Sequence, residues 1–323
     1  MQDHDHHDHD HPHHDAHDHG HAHAHDHAQG HAPATFGTAF AFGAALNAVF
    51  VAAEIGCGLA AHSTALLADA VHNAGDVLGL LLAWGAMQLG RRVPSARRTY
   101  GWGRGSILAA LVNAAVLLAG VGAIVLEAVQ RLLEPAAVAS ATVAWVALAG
   151  IAVNGVTAWM FSRGHGDLNI RASFQHMAAD AAVSAGVVVA ALLIGATGWG
   201  WIDPLVSLGI AVVIVAGTWG TLRDAADMAL DAVPPGIAQE AVGAYLRGLP
   251  GVVEVHDLHI WALSTTETAL TAHLVHAGET PAEATVLEAT RELGARFGIG
   301  HATLQLETVT HADACRLRPA EVV

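Results

Sequence analysis

The sequence predicts an α-helical membrane protein in which six transmembrane helices are followed by a small cytoplasmic α+β domain. Hydrophobic residues make up 53% of the 323-residue chain, and charged residues only 13%. Six apolar stretches are each long enough to cross the hydrocarbon of a bilayer, which takes about 20 residues as a helix. After residue 233 the apolar stretches become shorter and alternate with polar residues, as in strands. These observations indicate a membrane bundle and a separate soluble domain.

The six membrane spans follow from the apolar runs and the polar residues between them. The chain contains 34 glycines and few aromatic residues, which is typical of membrane helices that pack backbone to backbone. Asp203 and Pro204 open the sixth span, and we expect Asp203 to cap that helix, with Pro204 at its first position, rather than to bind a ligand. The spans are expected near residues 36–60, 64–89, 105–132, 142–162, 170–196 and 203–222.

The arginines predict the orientation of these spans. All 14 basic residues are arginine, and short connections rich in them should lie in the cytoplasm. The connection at 90–104 holds five arginines, whereas the opposite side of the bundle holds only Arg131. We therefore expect both termini in the cytoplasm, and the protein in a bacterial inner membrane. The net charge of −15 argues against nucleic acid as a partner.

The N-terminal segment 1–35 has an unusual composition. Residues 1–31 contain 14 of the 24 histidines and seven aspartates, with no basic residue. Such a segment cannot bury a core, so we expect it to be disordered in the cytoplasm. One candidate function for this segment is to capture metal ions through many weak histidine contacts. The alternatives are a solvated tail without function or an artificial tag.

The soluble part reads as α-β-β-α-β, with elements near 238–248, 252–263, 267–276, 281–296 and 301–308. This order predicts a small sheet with helices on one face. Residues from 309 onward are expected to fray. The two cysteines, Cys57 and Cys315, lie far apart and are interpreted as unpaired thiols in a reducing compartment. The expected domains are the tail at 1–35, the membrane domain at 36–232, the soluble domain at 233–309 and a C-terminal tail at 310–323.

Two copies of a His-x-x-x-Asp pattern lie inside apolar spans: His72 with Asp76 in the second, and His176 with Asp180 in the fifth. A spacing of four places each histidine over its aspartate on one helix face. Ionisable groups inside a bilayer are costly and usually functional. Two such helices together offer two imidazoles and two carboxylates, a four-coordinate set suited to Zn²⁺. The alternative is two hydrogen-bonded pairs that only hold the helices together. Burying four ionisable or polar groups for packing alone would cost much free energy, which argues against this alternative.

Two further acids lie within spans. Asp69 precedes His72 by three residues, on nearly the same face and nearer the outer end. It is a candidate to guide protons or exiting metal, or else a hydrogen-bond partner for His62 or Ser63 at the start of the span. Glu54 is a candidate to line the aqueous path, which its spacing does not decide.

The soluble domain carries a second candidate site. Strand residues His256, His273, His301 and Glu307 come from three strands, and strands about 4.8 Å apart can bring such groups onto one ion. The alternative is a polar sheet face with ordinary surface histidines. Because His259 and His276 lie an odd number of residues from their neighbours, we expect both to point to the opposite face.

Taken together, these segments resemble the cation diffusion facilitator family, specifically its zinc-transporting branch, from about residue 36 to 308. The resemblance is carried by the two intramembrane His-x-x-x-Asp motifs and by the stretches 62–79, 100–114, 169–187 and 255–263. One departure is that Gly105 and Ser106 follow Arg104 where the family usually has an acidic residue. The 90–104 connection also lacks the His/Asp pair that some members use for an additional metal, so no metal is expected there.

The resemblance implies a homodimeric antiporter in a lipid bilayer that moves Zn²⁺ out of the cytoplasm in exchange for protons, with a ferredoxin-like soluble domain. It also implies that His72, Asp76, His176 and Asp180 form the transport site. His256, His273 and Glu307 would then be the ligands of a regulatory cytoplasmic metal. Independently of the resemblance, His301 in the soluble domain and Asp69 beside the transport site are further candidate metal-contacting residues. Zn²⁺ is thus both the expected substrate and the expected regulatory ligand, and Cd²⁺, Co²⁺ or Ni²⁺ suit the same ligands.

Two other function classes remain open at this stage. One is a metal-sensing membrane protein that binds but does not transport. The other is an intramembrane metalloenzyme, which is weakest because there is no His-Glu-x-x-His motif and four protein ligands leave no open position for a substrate. We therefore expect a protein that is not an enzyme.

Overall fold

The structure, a computed structural model, describes residues 38–134, 136–162, 168–278 and 283–318 of the chain. The expected His- and Asp-rich tail at 1–35 lies outside the described residues, as do residues 319–323.

Six long helices form the first part of the described chain, and they confirm the six predicted spans. Each is long and apolar enough to cross a membrane. The sixth continues past its expected end at 222, because the polar residues that follow can extend a helix without lying in hydrocarbon. The helices are α1 (Thr38–Ala61), α2 (Thr64–Gly90), α3 (Gly105–Leu133), α4 (Ser140–Ser162), α5 (Leu168–Thr197) and α6 (Ile202–Ala229).

The centre of the bundle is a cluster of small and aliphatic side chains. Leu66 of α2, Val187 of α5 and Ile210 of α6 are buried in it together. Gly75 allows α2 to approach α3 closely, because a Cβ there would lie only 2.7 Å from Leu117 Cδ1. α2 packs mainly against α3, α1 and α6, whereas α5 packs mainly against α4. The two helices that carry the His-x-x-x-Asp motifs therefore belong to different packing groups.

Asp203 does not cap its own helix, so the prediction for this residue is wrong. α6 begins at Ile202, which places Asp203 and Pro204 at the second and third helical positions. Pro204 is tolerated there because the amides of the first helical turn have no partner within the helix.

The Asp203 carboxylate instead caps α2. It accepts hydrogen bonds from Ser63 Oγ at 2.5 Å, Thr64 N at 2.6 Å and Thr64 Oγ1 at 2.8 Å, with Ala65 N at 3.4 Å. Ser63 Oγ, the ordinary N-cap, also accepts from the amide of Leu66 at 3.1 Å. A buried carboxylate at a helix N-terminus is favourable because it meets unpaired amides and the positive end of the helix dipole. The contact fixes the start of α2 against α6.

The C-terminal part folds as the predicted α-β-β-α-β unit with one additional short helix. The sheet order is β1-β2-β3, with β2 antiparallel to β1 and parallel to β3. Leu246, Leu270 and Leu293 are buried in its core. The prediction of a frayed tail from 309 is wrong for the residues described there, which form α9 and a turn. The elements are α7 (Gln239–Arg247), β1 (Val252–Ala262), β2 (Thr268–His276), α8 (Glu283–Phe297), β3 (His301–Thr308) and α9 (Val309–Ala314).

The C-terminal domain contacts one end of the membrane bundle, which we call the domain side, and the opposite end the far side. Arg104, before α3, forms an ion pair with Asp231, after α6. Thr265, in the β1–β2 turn, donates its amide to Ser106 Oγ at 3.0 Å. The 90–104 connection and the end of α6 therefore lie against the soluble domain.

Candidate metal centres

The two His-x-x-x-Asp motifs meet across the α2–α5 interface in a crossed pairing. His72 Nε2 lies 3.0 Å from Asp180 Oδ1, and His176 Nε2 lies 3.3 Å from Asp76 Oδ2. His176 Nε2 is also 3.7 Å from Asp180 Oδ2. Crossing is what two helices running in opposite directions produce when each carries the same i, i+4 motif. The structure thus brings all four sequence-predicted residues together.

Three of these residues form a tight group. His72, Asp76 and Asp180 each offer one ligand atom within 4.8 Å of the other two. His176 reaches the same two carboxylates but lies at the edge of the group, with its ring centroid 6.1 Å from that of His72. Two imidazoles and two carboxylates can together ligate a divalent ion and cancel its charge.

Burial divides the cluster into two halves. His72 and Asp180, nearer the far side, are 20% and 2% exposed, whereas His176 and Asp76, nearer the domain side, are 44% and 29% exposed. The far-side half of the cluster is therefore more deeply buried by the described chain than the domain-side half.

Two buried acids lie next to the cluster on its far side. Asp69 accepts a hydrogen bond from Ser184 Oγ at 2.9 Å, rather than from residues at the start of the span. Glu54 accepts from Asn73 Nδ2 at 3.1 Å, and the two carboxyl groups lie within interacting distance of each other. Both acids are fully buried, and one oxygen of each has no hydrogen-bond partner among the described residues. Both residues were candidates from the sequence, but their proximity could not be predicted from it, because Glu54 lies on α1 and Asp69 on α2.

A second cluster lies on the sheet of the C-terminal domain. β1 and β2 place His256 opposite His273, with ring centroids 5.0 Å apart. His273 Nδ1 lies 2.9 Å from Glu307 Oε1, and His256 Nε2 lies 3.5 Å from Glu307 Oε2. Within the described part of the chain, neither ring nitrogen of His256 has a hydrogen-bond partner, although its side chain is only 6% exposed. A buried imidazole without partners is costly, and a metal ion would satisfy it.

A β-bulge in β1 changes the side-chain alternation on which the exclusion of His259 was based. The register shifts between His256 and His259, with Asp257 at a φ of 51°. Because His259 then pairs with Thr271, two residues from His273, it shares the face of His256. The parity reasoning was therefore wrong for His259.

Asp257, the bulge residue, contacts both histidines that flank the site. Its Oδ1 lies 2.7 Å from His259 Nε2, and its Oδ2 lies 3.5 Å from His273 Nε2. A carboxylate on the outer ring nitrogen fixes the orientation of a ligating histidine. The sequence did not indicate this residue, because a bulge has no signal in the strand pattern here.

His301 is separated from the cluster. It begins β3, six residues before Glu307, which corresponds to about 20 Å along a strand. Its ring instead packs edge-on against Tyr100 of the 90–104 connection, with centroids 5.6 Å apart. Strand alternation places His301 and Glu307 on the same face of the sheet, as β3 confirms, but they lie too far apart along the strand to bind one ion.

Cys315 also lies at this cluster, although its position in the sequence gives no indication of it. After β3, the short helix α9 turns the chain back, and Cys315 Sγ lies 3.7 Å from His273 Nδ1. One ligand atom from each of His256, His273, Glu307 and Cys315 falls within 4.8 Å of the others. No spacing motif links a single cysteine to strands so distant in sequence.

An ion pair holds the segment that carries Cys315. Arg318 donates to Glu254 through Nε at 2.9 Å and Nη2 at 2.7 Å, and to Asp313 through Nη1 at 2.5 Å. The hydrogen bonds from Arg318 lower the pKa of the Glu254 carboxyl below its ordinary value of 4.5. His256 Nδ1 lies 3.7 Å from the same carboxylate. A lowered pKa means that this contact stabilises the fold above pH 4.5 and is lost as the pH falls through the lowered value.

Comparison with known proteins agrees with both parts of the fold. Residues 41–228 match the family model described as the cation efflux transmembrane domain. Residues 234–309 match the model described as the cation efflux protein, cytoplasmic domain. The two matches meet at the boundary between α6 and the C-terminal domain.

Similar proteins match over most of their length. The chain is 34% identical over 277 residues to the cation efflux system protein CzcD of Alcaligenes sp. strain CT14, covering 84% of this chain and 87% of that protein. It is 32% identical over 260 residues to the cadmium, cobalt and zinc/H(+)-K(+) antiporter of Bacillus subtilis strain 168, covering 79% and 83%. It is 33% identical over 282 residues to the zinc transporter ZitB of Escherichia coli strain K12, covering 86% and 89%. The chain belongs to the cation diffusion facilitator family of cation efflux proteins.

Proposed function

We propose that this integral membrane protein exports Zn²⁺ from the bacterial cytoplasm in exchange for protons. The observation that carries the proposal is the crossed cluster of His72, Asp76, His176 and Asp180 between α2 and α5. Similar proteins named for zinc, cadmium and cobalt transport support the substrate class. As a member of a transporter family, the protein is not an enzyme.

The donor set supports zinc as the cargo. Imidazole and carboxylate ligands suit Zn²⁺, while Cd²⁺, Co²⁺ and Ni²⁺ accept the same atoms and are secondary candidates. The two carboxylates neutralise the ion, which a site within an apolar bundle requires. Asp180, 2% exposed, is the acid whose charge is least screened by solvent.

The burial gradient supports loading from the cytoplasm. The accessible half of the cluster, His176 with Asp76, is the half nearer the domain side. We assign that side to the cytoplasm, together with both termini, because the arginine-rich 90–104 connection lies there. The far half is covered by the Asp69 and Glu54 layer, so outward release requires α2 and α5 to move relative to each other.

The imidazole nitrogens of His72 and His176 can also account for exchange of the metal with protons. A histidine nitrogen accepts either a proton or a metal ion, and metal binding needs the neutral imidazole. Protons entering from outside would protonate His72 and His176 and release the metal. The site must therefore hold zinc tightly enough to load it but weakly enough to release it.

The C-terminal domain would supply dimerisation and metal sensing. We assign His256, His273 and Glu307 to a regulatory cytoplasmic metal, because they lie together and because both ring nitrogens of His256 and Oε2 of Glu307 are buried without hydrogen-bond partners among the described residues. The contacts of Arg104 with Asp231 and of Thr265 with Ser106 give a path from that domain to α3 and α6. Such regulation requires metal to bind the domain with different affinity in the two transport states.

The test is zinc uptake into proteoliposomes with an acidic lumen, recorded with zinc-sensitive and pH-sensitive dyes inside. We expect Asp180→Asn to reduce uptake to the level of empty liposomes. Glu127→Gln is the matched control, because Glu127 also lies on a membrane helix but pairs with Arg131 at 2.8 Å, away from the cluster. It should transport at the wild-type rate.

Each possible failure is specific. Wild-type uptake by Asp180→Asn would rule out the site. Zinc binding without uptake by the wild-type protein would indicate the non-transporting sensor instead. Zinc flux that ignores the pH difference at fixed membrane potential would contradict the exchange with protons.

A further inference from the structure

We infer that Cys315 is the fourth ligand of the cytoplasmic metal site, so that the site is a closed His₂-Glu-Cys centre. The inference extends the regulatory site of the proposed function, which was built from His256, His273 and Glu307. It assigns the C-terminal segment after β3 a role in metal binding. The thiol of Cys315 contacts the site directly, with Sγ 3.7 Å from His273 Nδ1.

Two distances between candidate ligand atoms are close to those expected in a tetrahedral zinc centre. For Zn–N near 2.05 Å and Zn–S near 2.3 Å, tetrahedral geometry places nitrogen and sulfur about 3.6 Å apart, and nitrogen and oxygen about 3.3 Å apart. Cys315 Sγ and His273 Nδ1 are separated by 3.7 Å, and His256 Nε2 and Glu307 Oε2 by 3.5 Å. All four ligand atoms fall within 4.8 Å of one another. Closing onto an ion therefore needs shifts of less than about 2 Å.

Independently of the cysteine, the cluster contains buried polar atoms without hydrogen-bond partners among the described residues, which a bound ion would satisfy. The His256 side chain is 6% exposed, yet within the described ranges Nδ1 and Nε2 lack hydrogen-bond partners. Glu307 Oε2 is likewise unpartnered, while its Oε1 accepts from Gln305 Nε2 at 2.7 Å. Two of these unpartnered atoms, His256 Nε2 and Glu307 Oε2, lie 3.5 Å apart and belong to the residues that Cys315 joins. An ion coordinated by Nε2 and Oε2 would satisfy both.

The protein fixes the cysteine by contacts outside the metal site. Arg318, three residues later, is bound to Glu254 of β1 and to Asp313 of α9, so both flanks of Cys315 are held. Glu254 lies two residues before His256 on the same strand. The C-terminal segment therefore returns to the strand that supplies a ligand. Metal binding would exchange the S–H bond of Cys315 for an S–metal bond and release that proton to solvent.

A thiolate changes what the site prefers to bind. Three nitrogen and oxygen ligands also accept harder cations, whereas a thiolate favours Zn²⁺, Cd²⁺ and Co²⁺ over Mg²⁺ and Ca²⁺. Four protein ligands leave no open position, as in structural rather than catalytic zinc sites. The site would thus attach the C-terminal segment to the sheet when occupied, and when the site is empty this attachment is left to contacts such as that of Arg318 with Glu254.

Cobalt(II) spectroscopy on the full-length protein in detergent tests this assignment. A thiolate gives bound Co²⁺ an intense near-ultraviolet charge-transfer band, which imidazole and carboxylate ligands do not, so tail histidines and the transport site do not contribute. We expect the band in the wild type and in Cys57→Ser, the matched control for the other cysteine. Cys315→Ser should lose it, and its Zn²⁺ affinity at this site should fall by at least about tenfold.

Two further measurements separate loss of the thiolate ligand from misfolding of the Cys315→Ser variant. Cys315→His should restore tight binding without the near-ultraviolet band, because it replaces the thiolate with an imidazole. In a Cys57→Ser background, Zn²⁺ should slow maleimide alkylation of Cys315, and His256→Ala should remove that protection. No thiolate band in the Co²⁺-loaded wild type, or a band that survives in Cys315→Ser, would overturn the assignment. Because neither readout is transport, either result leaves the exporter proposal to its own test.

Discussion

Replacing Asp203 with alanine should destabilise the membrane domain strongly, because its carboxylate holds the start of α2 against α6. The carboxylate is 1% exposed and accepts hydrogen bonds from Ser63 and Thr64 at 2.5 to 2.8 Å. Hydrogen bonds to a charged group contribute about 1.5–3 kcal/mol each, and they are not additive within one network. Leaving neutral donors buried and unpaired costs about 1–3 kcal/mol each, so the substitution should cost about 3–5 kcal/mol in total. At about 2–4 °C per kcal/mol for a domain of this size, Tm should fall on the order of 10 °C.

Thermal unfolding of the purified protein in one detergent, at one pH and without added zinc, measures this effect. Ser207→Ala is the matched control, because Ser207 lies one turn further along α6, is fully buried, and its Oγ has no partner among the described residues. It should change Tm little. Asp203→Asn keeps an acceptor but loses the charge, so it should fall between the two. Equal midpoints for Asp203→Ala and Ser207→Ala would refute the capping of α2 by α6.

Three further predictions concern the soluble parts. Arg318→Gln should lower the unfolding midpoint above pH 4.5, and its difference from wild type should vanish as the pH falls through the lowered pKa of Glu254; a difference independent of pH would contradict the ion pair. Asp257→Asn should weaken metal binding at the cytoplasmic site by about 10–100-fold in a Co²⁺ titration, because His273 loses the carboxylate that orients it, and unchanged affinity would exclude that role. Deleting residues 2–31 should raise the apparent KM for zinc in proteoliposome uptake and leave the maximal rate unchanged, because the tail acts as a local metal reservoir; an unchanged KM would favour a solvated tail.

The sequence predicted those features that depend on residues close together in the chain. The six spans follow from apolar length, and the placement of each histidine with its aspartate on one face of α2 and of α5 follows from a spacing of four. The order of elements in the soluble domain follows from helix and strand periodicity. In each case the signal lies within one element, where sequence distance and spatial distance are nearly proportional.

The incorrect predictions have a common cause, which is a tertiary contact with no local signal. Asp203 has the sequence of an N-cap, yet its partners lie about 140 residues earlier in the chain. Strand parity assigned His259 to the wrong face, because the bulge at Asp257 inserts one residue into the alternation. Cys315 is an unpaired thiol as predicted, but its position beside His273 was missed, because its neighbours in space come from β2 and β3 rather than from its own segment. Pairing across elements decides all three positions.

The crossed pairing between α2 and α5 has a mechanical consequence for the transport cycle. His72 contacts Asp180 and Asp76 contacts His176, so each contact joins one helix to the other. α2 packs with α1, α3 and α6, while α5 packs chiefly with α4. An ion held by the proposed site would therefore be a removable crosslink between α2 and α5, which contact each other much less than each contacts its main packing partner. Since outward release requires α2 and α5 to move relative to each other, that movement must break the contacts of the ion with one of the two helices, so release of the ion and movement of the helices should be coupled steps.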